Sequence, residues 1–380
     1  MNTTMHARGG AAMRLGGLVR KEFLQILRDP SSIAIAFLLP VVLLLIFGYG
    51  VSLDAKHVPI AVVVDQPGAD TASFTGAFYH SRYFTPHPLP DMAAATHALM
   101  AGRVEAIVRL RSDFARQLRG NRGAPIQLIV NGVDANSARL IQGYVDGVWI
   151  GWLAQRARSA GQVLDIPVQL EQRVWFNSEL RSRNYLVPGL IAVIMTLIGA
   201  LLTAMVVARE WERGTMEALL VTPVAMREIL LGKLIPYFLL GMGGMGLSVG
   251  MAVWLFQVPL RGSVTVLFAC AALFLLAALG MGLLISIVAR NQFVAGQAAI
   301  ITTFLPAFIL SGFVFDIGSM PQVVQWITHI VAARYFVFIL QTVFLAGDLW
   351  HIILPNALAL ILMAAFFLGL ARRRARKRLE

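Results

Sequence analysis

Long unbroken apolar runs separated by short charged breaks fill most of this chain. Ile33–Leu53, Tyr185–Ala208, Ile229–Phe256, Val264–Val288, Phe293–Phe315 and Ile352–Leu370 are each long enough to cross a hydrocarbon core as a helix. They predict six membrane spans. Between the first and second run the pattern changes: residues 54–183 carry Arg, Asp and Gln throughout, and their apolar runs are short. Val58–Val64, Ala106–Leu110 and Ile126–Val130 read as strands; Thr71–His80, Asp91–Ala101, Ser112–Leu118 and Ala135–Ser159 read as helices. The alternation predicts a small α/β domain. The expected fold class is therefore an α-helical integral membrane protein of six transmembrane helices with an inserted α/β extracytoplasmic domain.

Two shorter stretches need a separate reading. From Arg14 to Arg28, Leu15, Leu18, Val19, Phe23, Ile26 and Leu27 fall on one helical face, while Arg14, Lys21 and Arg28 recur on another. That pattern predicts a basic amphipathic helix lying on the lipid surface, with an ordinary charged flank as the alternative. Val323–Val331 and Tyr335–Leu345 are apolar but too short to cross. An amino terminus and an arginine-rich carboxy terminus on one side require an even number of spans, so these runs are expected to dip or lie flat at the outer face, within 316–348. The first span is read as uncleaved, because its leader is long and no small-x-small cleavage site follows; Pro40 is a tolerated kink. Gly246 and Gly250 form a G-x-x-x-G, a close-packing motif or a chance spacing.

Composition fits the pattern. Of the 380 residues 58% are hydrophobic and 14% charged, and the mean hydropathy is +0.72. A formal charge of +12 raises the question of nucleic acid, and its location answers it. Arg372, Arg373, Arg374, Arg376, Lys377 and Arg378 follow the last run, and Arg8, Arg14, Arg20, Lys21 and Arg28 precede the first. Flanks of this kind mark a cytoplasmic face. The expected layout is a cytoplasmic amphipathic helix over 1–30, a first transmembrane helix over 31–53, a periplasmic α/β domain over 54–183, a five-helix region over 184–371 and a basic cytoplasmic tail over 372–380. The single cysteine, Cys270, sits inside an apolar run and excludes an internal disulfide or a multi-cysteine metal site.

The densest charge outside the flanks is Arg209 to Lys233. Arg209, Arg213, Arg227 and Lys233 nearly balance Glu210, Glu212, Glu217 and Glu228. Glu210 to Arg213 and Arg213 to Glu217 have helical pair spacing, Met216, Leu219 and Leu220 form an apolar edge, and Thr222-Pro223 breaks the helix. Such a knob suits docking into a partner's groove; by charge alone it reads equally as a solvated loop.

These residues resemble the cytoplasmic coupling segment of ABC-2 type transporter permeases, whose pattern is E-R-G-T-x-E-x-L, then T-P, then G-K. Glu212, Arg213, Gly214, Thr215, Glu217 and Leu219 match the core, and Thr222, Pro223, Gly232 and Lys233 the rest. Other stretches are similar to the subgroup with a large outer domain: Lys21–Pro30, Val62–Asp65, Ser112–Gly120, Asn131–Ala138, Ser311–Pro321, Arg334–Phe336 and Phe344–Gly347. The chain departs from the pattern at Asp316 and at Ala332-Ala333, where the family carries proline. The resemblance implies a permease subunit in a bacterial inner membrane, with both termini cytoplasmic. It implies pairing with a second copy or close relative, binding of two ABC ATPase subunits at 209–233 (Glu210 included), and a periplasmic adaptor as a further partner. Multidrug export permeases are the most similar subgroup, which implies extrusion of drugs or other amphipathic small molecules; export of lipid or polysaccharide is the alternative.

No G-x-x-x-x-G-K-[ST] is present, since Gly232-Lys233 lacks the upstream glycine and precedes Leu234, so ATP is expected to be used by a separate ATPase. No cofactor is expected on this chain. H-E-x-x-H and G-x-S-x-G are missing too, which leaves a membrane enzyme with its site in the outer domain without a nucleophile or base. His57, His80, His87 and His97 are spread over that domain without close acidic partners, a pattern of surface histidines rather than of a metal site. Gln297, Thr302 and Thr303 either line a substrate path or bond to their own helix backbone.

Overall fold

The computed structural model describes residues 3–50, 57–120, 124–133, 135–159, 181–222 and 224–375. The chain divides into two compact units, Met1–Val51 with Val174–Glu380, and Ser52–Arg173. Helix α1 (Thr3–Leu27) is followed at once by the first candidate span, α2 (Pro30–Gly50). Asp29 caps α2 by accepting the Ser31 N–H at 3.2 Å, and Pro30 takes the first helical position, where a missing N–H costs nothing. Pro40 cannot donate, and the ladder before it widens into a π turn at Ala34–Leu38, with the Leu39 N–H reaching back to the Ala34 carbonyl.

The second unit is a sheet flanked by helices. Its strands are β1 (Val58–Val64), β2 (Phe84–Leu89), β3 (Ala106–Leu110) and β4 (Ile126–Val130), in the order β2-β1-β3-β4. β1 runs parallel to both neighbours and β4 antiparallel to β3. Along β1, Ile60 and Val62 pack with Phe74, Phe78 and Trp152, while Ala61 and Val63 pack with Ala95 and Ala98. Both faces are covered, which is why β1 reads as a continuous apolar run rather than an alternation. The connecting helices are α3 (Ala69–Tyr79), α4 (Met92–Met100), α5 (Phe114–Arg119) and α6 (Ala135–Ser159).

The sequence reading has no counterpart for β2. Its segment F-T-P-H-P-L carries two prolines, which argue against a central strand. The Tyr83 carbonyl accepts the Val58 N–H at 2.8 Å, so Thr85, His87 and Leu89 turn their backbone groups toward β1. Pro86 and Pro88 then sit on the open edge, where the N–H they lack has no partner to lose.

The remaining spans are α7 (Ser182–Glu212), α9 (Met226–Leu255), α10 (Val264–Ala289), α11 (Gln292–Leu310) and α14 (Trp350–Arg374), with a short α8 (Thr215–Val221) between α7 and α9. With α2 they make six helices, among the described residues, that are long and apolar enough to cross a membrane. α7 is the central one, 89% of its apolar window being buried. At 31 residues it extends over about 46 Å, more than a bilayer core needs, so its charged last turns project beyond the apolar layer. Small residues let α10 approach it: a methyl on Gly282 would overlap the Ala200 carbonyl oxygen, and the Thr203 hydroxyl bonds to the Leu279 carbonyl at 2.9 Å. In α9 the close contacts are at Gly241, against Leu275, and Gly244, against the Ala36 backbone. Gly246 and Gly250 do not seat a neighbouring helix; a methyl on Gly246 would come no nearer than 3.9 Å to Phe268.

The two short apolar runs form α12 (Gln322–Thr328) and α13 (Ala332–Leu345), bent by 83° at their junction. The elbow reaches the middle of the bundle, where Ile327, Ile330 and Val331 share a cavity of about 210 Å³ with Thr196, Phe274 and Thr303. Arg334 ties it by hydrogen bonds to Thr328 and to the Gln325 carbonyl. α13 then returns to the α9–α10 loop, whose Arg261 and Gly262 N–H groups donate to the Phe344 and Val343 carbonyls at 3.1 and 2.8 Å. Phe336 stacks on Phe274 at 4.2 Å on the way.

Candidate functional site

At the other end of the bundle, charge is carried into the packed interior. The stripe of α1 that faces α9 is Leu15, Leu18, Glu22 and Ile26, of which Glu22 and Ile26 are fully buried. A carboxylate in an apolar stripe needs a buried cation. Lys233, on the first turns of α9, supplies it: its Nζ donates to Glu22 Oε1 at 2.7 Å and to Glu210 Oε1 at 2.9 Å. Lys21 Nζ closes the group from outside, 3.3 Å from Glu210. Gly232 is the companion of that lysine, because a methyl there would lie 2.8 Å from Leu18 Cβ. G-K is thus the seat of α1: the glycine admits its backbone and the lysine meets its acid.

Two more pairs fasten the same helix. Arg14 binds Glu228 at 3.1 Å, and Glu228 also accepts the Ala225 N–H at 2.9 Å, capping α9. Asp29, just past the end of α1, binds Arg209 at 2.8 Å. Burial pushes the Asp29 carboxyl upward, but hydrogen bonds from Ser31, Arg209 and Ser32 outweigh it and hold the group well below the usual carboxylate range. A depressed carboxyl contributes stability above its unfolded value and loses it only as pH falls through the folded one, so this tie persists in mild acid.

The knob follows from a break in α7. Gly214 has φ +68, a left-handed conformation that favours glycine, and it turns the chain from α7 into α8. The break also removes the expected helical pairing of Arg213 with Glu210 and Glu217: Glu210 is held by Lys233, Lys21 and the Thr215 hydroxyl instead. Met216 anchors α8 in a cluster with Val207, Leu230, Leu283 and Ala371. Asn291, which caps α11, donates to Glu212 at 2.8 Å, and Arg290 lies over the Trp211 ring at 4.9 Å. The ends of α7, α10 and α14 and the starts of α9 and α11 therefore meet at the end where α1 docks.

Burial divides the sequence-predicted residues into two groups. Glu210, Gly232 and Lys233 are buried and hold α1. Glu212, Arg213, Gly214, Thr215 and Glu217 are exposed on the knob, with Thr222 half-buried at its end. Pro223 lies outside the described residues. Arg14, Lys21, Glu22 and Asp29 were not among the candidates; the lone acid on the apolar face of α1 was the signal that a partner exists.

The path candidates separate in the same way. Thr302 and Thr303 line the elbow cavity, and each hydroxyl bonds to its own helix, at the Ala298 and Ala299 carbonyls, both at 2.6 Å. Gln297 is exposed and does not line that cavity. Among the described residues, no three His, Cys, Asp or Glu side chains are grouped as metal ligands, His57, His80, His87 and His97 included.

The chain as a whole is similar to known proteins. Residues 30–373 match the family model described as ABC-2 family transporter protein. The chain is 45% identical, over 97% of its length and 98% of the relative's, to a protein of Escherichia coli (strain K12) named probable multidrug ABC transporter permease YbhS. It is 29% identical, over 93% of its length and 95% of the relative's, to probable multidrug ABC transporter permease YbhR of the same strain. It is also 29% identical, over 84% and 85% of the two chains, to inner membrane transport permease YhhJ of Shigella flexneri.

Proposed function

From the premise that this chain belongs to the ABC-2 family of transporter proteins and is a permease subunit of an ABC exporter, we propose that it extrudes drugs or other amphipathic small molecules, with Glu212–Thr222 as the docking knob of its ATPase. The chain is not itself an enzyme; the ATPase is a separate subunit. The observation that carries the docking reading is the exposed charge of Glu212 and Arg213 at the end of α7 and of Glu217 on α8, a short helix anchored through buried Met216 to spans α7, α9, α10 and α14. A push on α8 is thereby delivered to four spans at once. The cavity at the α12–α13 elbow, with Thr196, Thr302 and Thr303 in an otherwise apolar wall, supports a path for molecules with an apolar body.

In this reading the protein sits in the inner membrane of a bacterium, with α1, the knob and the arginine-rich end of α14 in the cytoplasm. An odd number of crossings then puts the sheet-bearing unit in the periplasm, where it meets an adaptor protein, and a second permease copy or close relative completes the membrane part. ATP acts on the partner ATPase alone. The multidrug names of two relatives support the substrate class.

Reporter fusions test the arrangement. Fusions at Gly120 and Gly318 are expected to report the periplasm, and fusions at Gly214 and Lys377 the cytoplasm. A cytoplasmic Gly120 would overturn the topology and, with it, the docking role of the knob.

A further inference from the structure

Beside the ion pairs that seat α1 lies an open pocket of about 860 Å³, lined by one face of α1, the start of α2, the end of α7 and the start of α11. Five of its side chains are cationic (Arg20, Lys21, Arg28, Arg209 and Arg213) and one, Asp29, is acidic. Lys21 and Arg209 are engaged in the pairs already described, and Asp29 is taken up by Arg209, Ser31 and Ser32. The side chains of Arg20, Arg28 and Arg213 form no ion pair among the described residues. Arg209, 9% exposed, keeps a buried Nε–H that has no acceptor among them. A buried donor without a partner costs on the order of 1–3 kcal/mol, and here it stands in a wall with three uncommitted guanidinium groups.

We propose that this pocket binds the phosphate of an anionic phospholipid headgroup. The excess of cation identifies a phosphate, and guanidinium forks match its oxygens better than any other side chain. The surroundings identify its source as lipid. The pocket lies where three spans begin or end, the level at which headgroups stand. Leu24 forms part of its wall, and Phe23, Leu24 and Leu27 remain 46%, 44% and 58% exposed next to it on α1, an apolar surface for the start of an acyl chain. The proposal rests on the membrane reading of the spans; it shares Arg213 with the docking reading of the knob, and the variants that test it leave Arg213 in place. A lipid held there clamps α1 to α7 and α11 in addition to the ion pairs.

The test uses the full chain in nanodiscs of phosphatidylcholine with and without phosphatidylglycerol, counting retained lipids by native mass spectrometry. Wild type is expected to retain phosphatidylglycerol in preference to phosphatidylcholine. Arg20→Gln with Arg28→Gln leaves the knob and the ion pairs untouched and is expected to weaken that retention roughly thirty-fold. Arg20→Lys with Arg28→Lys keeps the charge and is expected to keep most of the preference, which separates loss of charge from loss of fold. Equal retention of the two lipids by wild type, or an unchanged preference in the glutamine variant, would overturn the proposal. Displacement of the lipid by millimolar inorganic phosphate would assign the site to a free ion instead. Loss of ATPase co-purification in the glutamine variant, with lipid retention intact, would assign the surface to the protein partner.

Discussion

Lys233→Met is expected to destabilise the protein by about 3–5 kcal/mol, because it removes the buried cation between the carboxylates of Glu22 and Glu210 and leaves them only Lys21, which is half exposed at the rim. The three side chains are 3–6% exposed, so water cannot replace the ammonium. Methionine matches the length of the lysine stem, and the loss is therefore electrostatic rather than one of packing. The triple change Lys233→Met, Glu22→Gln and Glu210→Gln removes the repulsion together with the attraction and is expected to recover most of the stability. Thermal unfolding of the detergent-purified proteins reads both effects, and tryptic cleavage at Arg20 and Lys21 reads the release of α1. A single variant that melts like wild type would show that the cluster does not hold α1.

The largest functional effect is expected from Arg213→Glu combined with Glu217→Lys. Both residues are exposed and form no ion pair among the described residues, and the exchange leaves the net charge of the knob unchanged. Stability should therefore stay within about 0.5 kcal/mol of wild type. At an interface the same exchange sets like charges against a partner surface matched to the native pattern, a penalty of several kcal/mol. Each 1.4 kcal/mol is about tenfold in affinity, so co-purification of the ATPase should fall by at least tenfold and substrate efflux with it. Matched membrane expression is the control. Efflux and ATPase recovery like those of wild type would reduce the knob to a solvated loop.

The contrast between these two variants marks what the sequence could convey. The spans were legible because runs of this length have no other stable place, and their ends differ from the helices by a few residues, as at Tyr185–Ala208 against Ser182–Glu212. The arrangement of 316–348 was legible as two short runs, but its 83° elbow depends on Arg334, Thr328 and Gln325 meeting across a break. β2 was hidden by Pro86 and Pro88, whose effect depends on which side of the strand has a neighbour. The charged segment was visible as one block, although burial splits it. Nothing local distinguishes Glu210 from Glu212; the difference is made by Lys21 and Glu22, about 190 residues away in the chain, a pairing that no periodicity encodes.

The claim that the knob is the contact through which a separate ATPase drives this permease is tested most directly by cross-linking. Cys270 is the only cysteine, so Cys270→Ala with Glu217→Cys places a single thiol on the exposed face of α8. Cys270→Ala with Trp350→Cys places one at the opposite end, at the start of α14, where the tryptophan is 53% exposed. With the ATPase subunit co-expressed, a bifunctional thiol reagent is expected to join the ATPase to the Glu217→Cys protein and not to the Trp350→Cys protein. An intact complex that cross-links at neither position, or equally at both, would contradict the account.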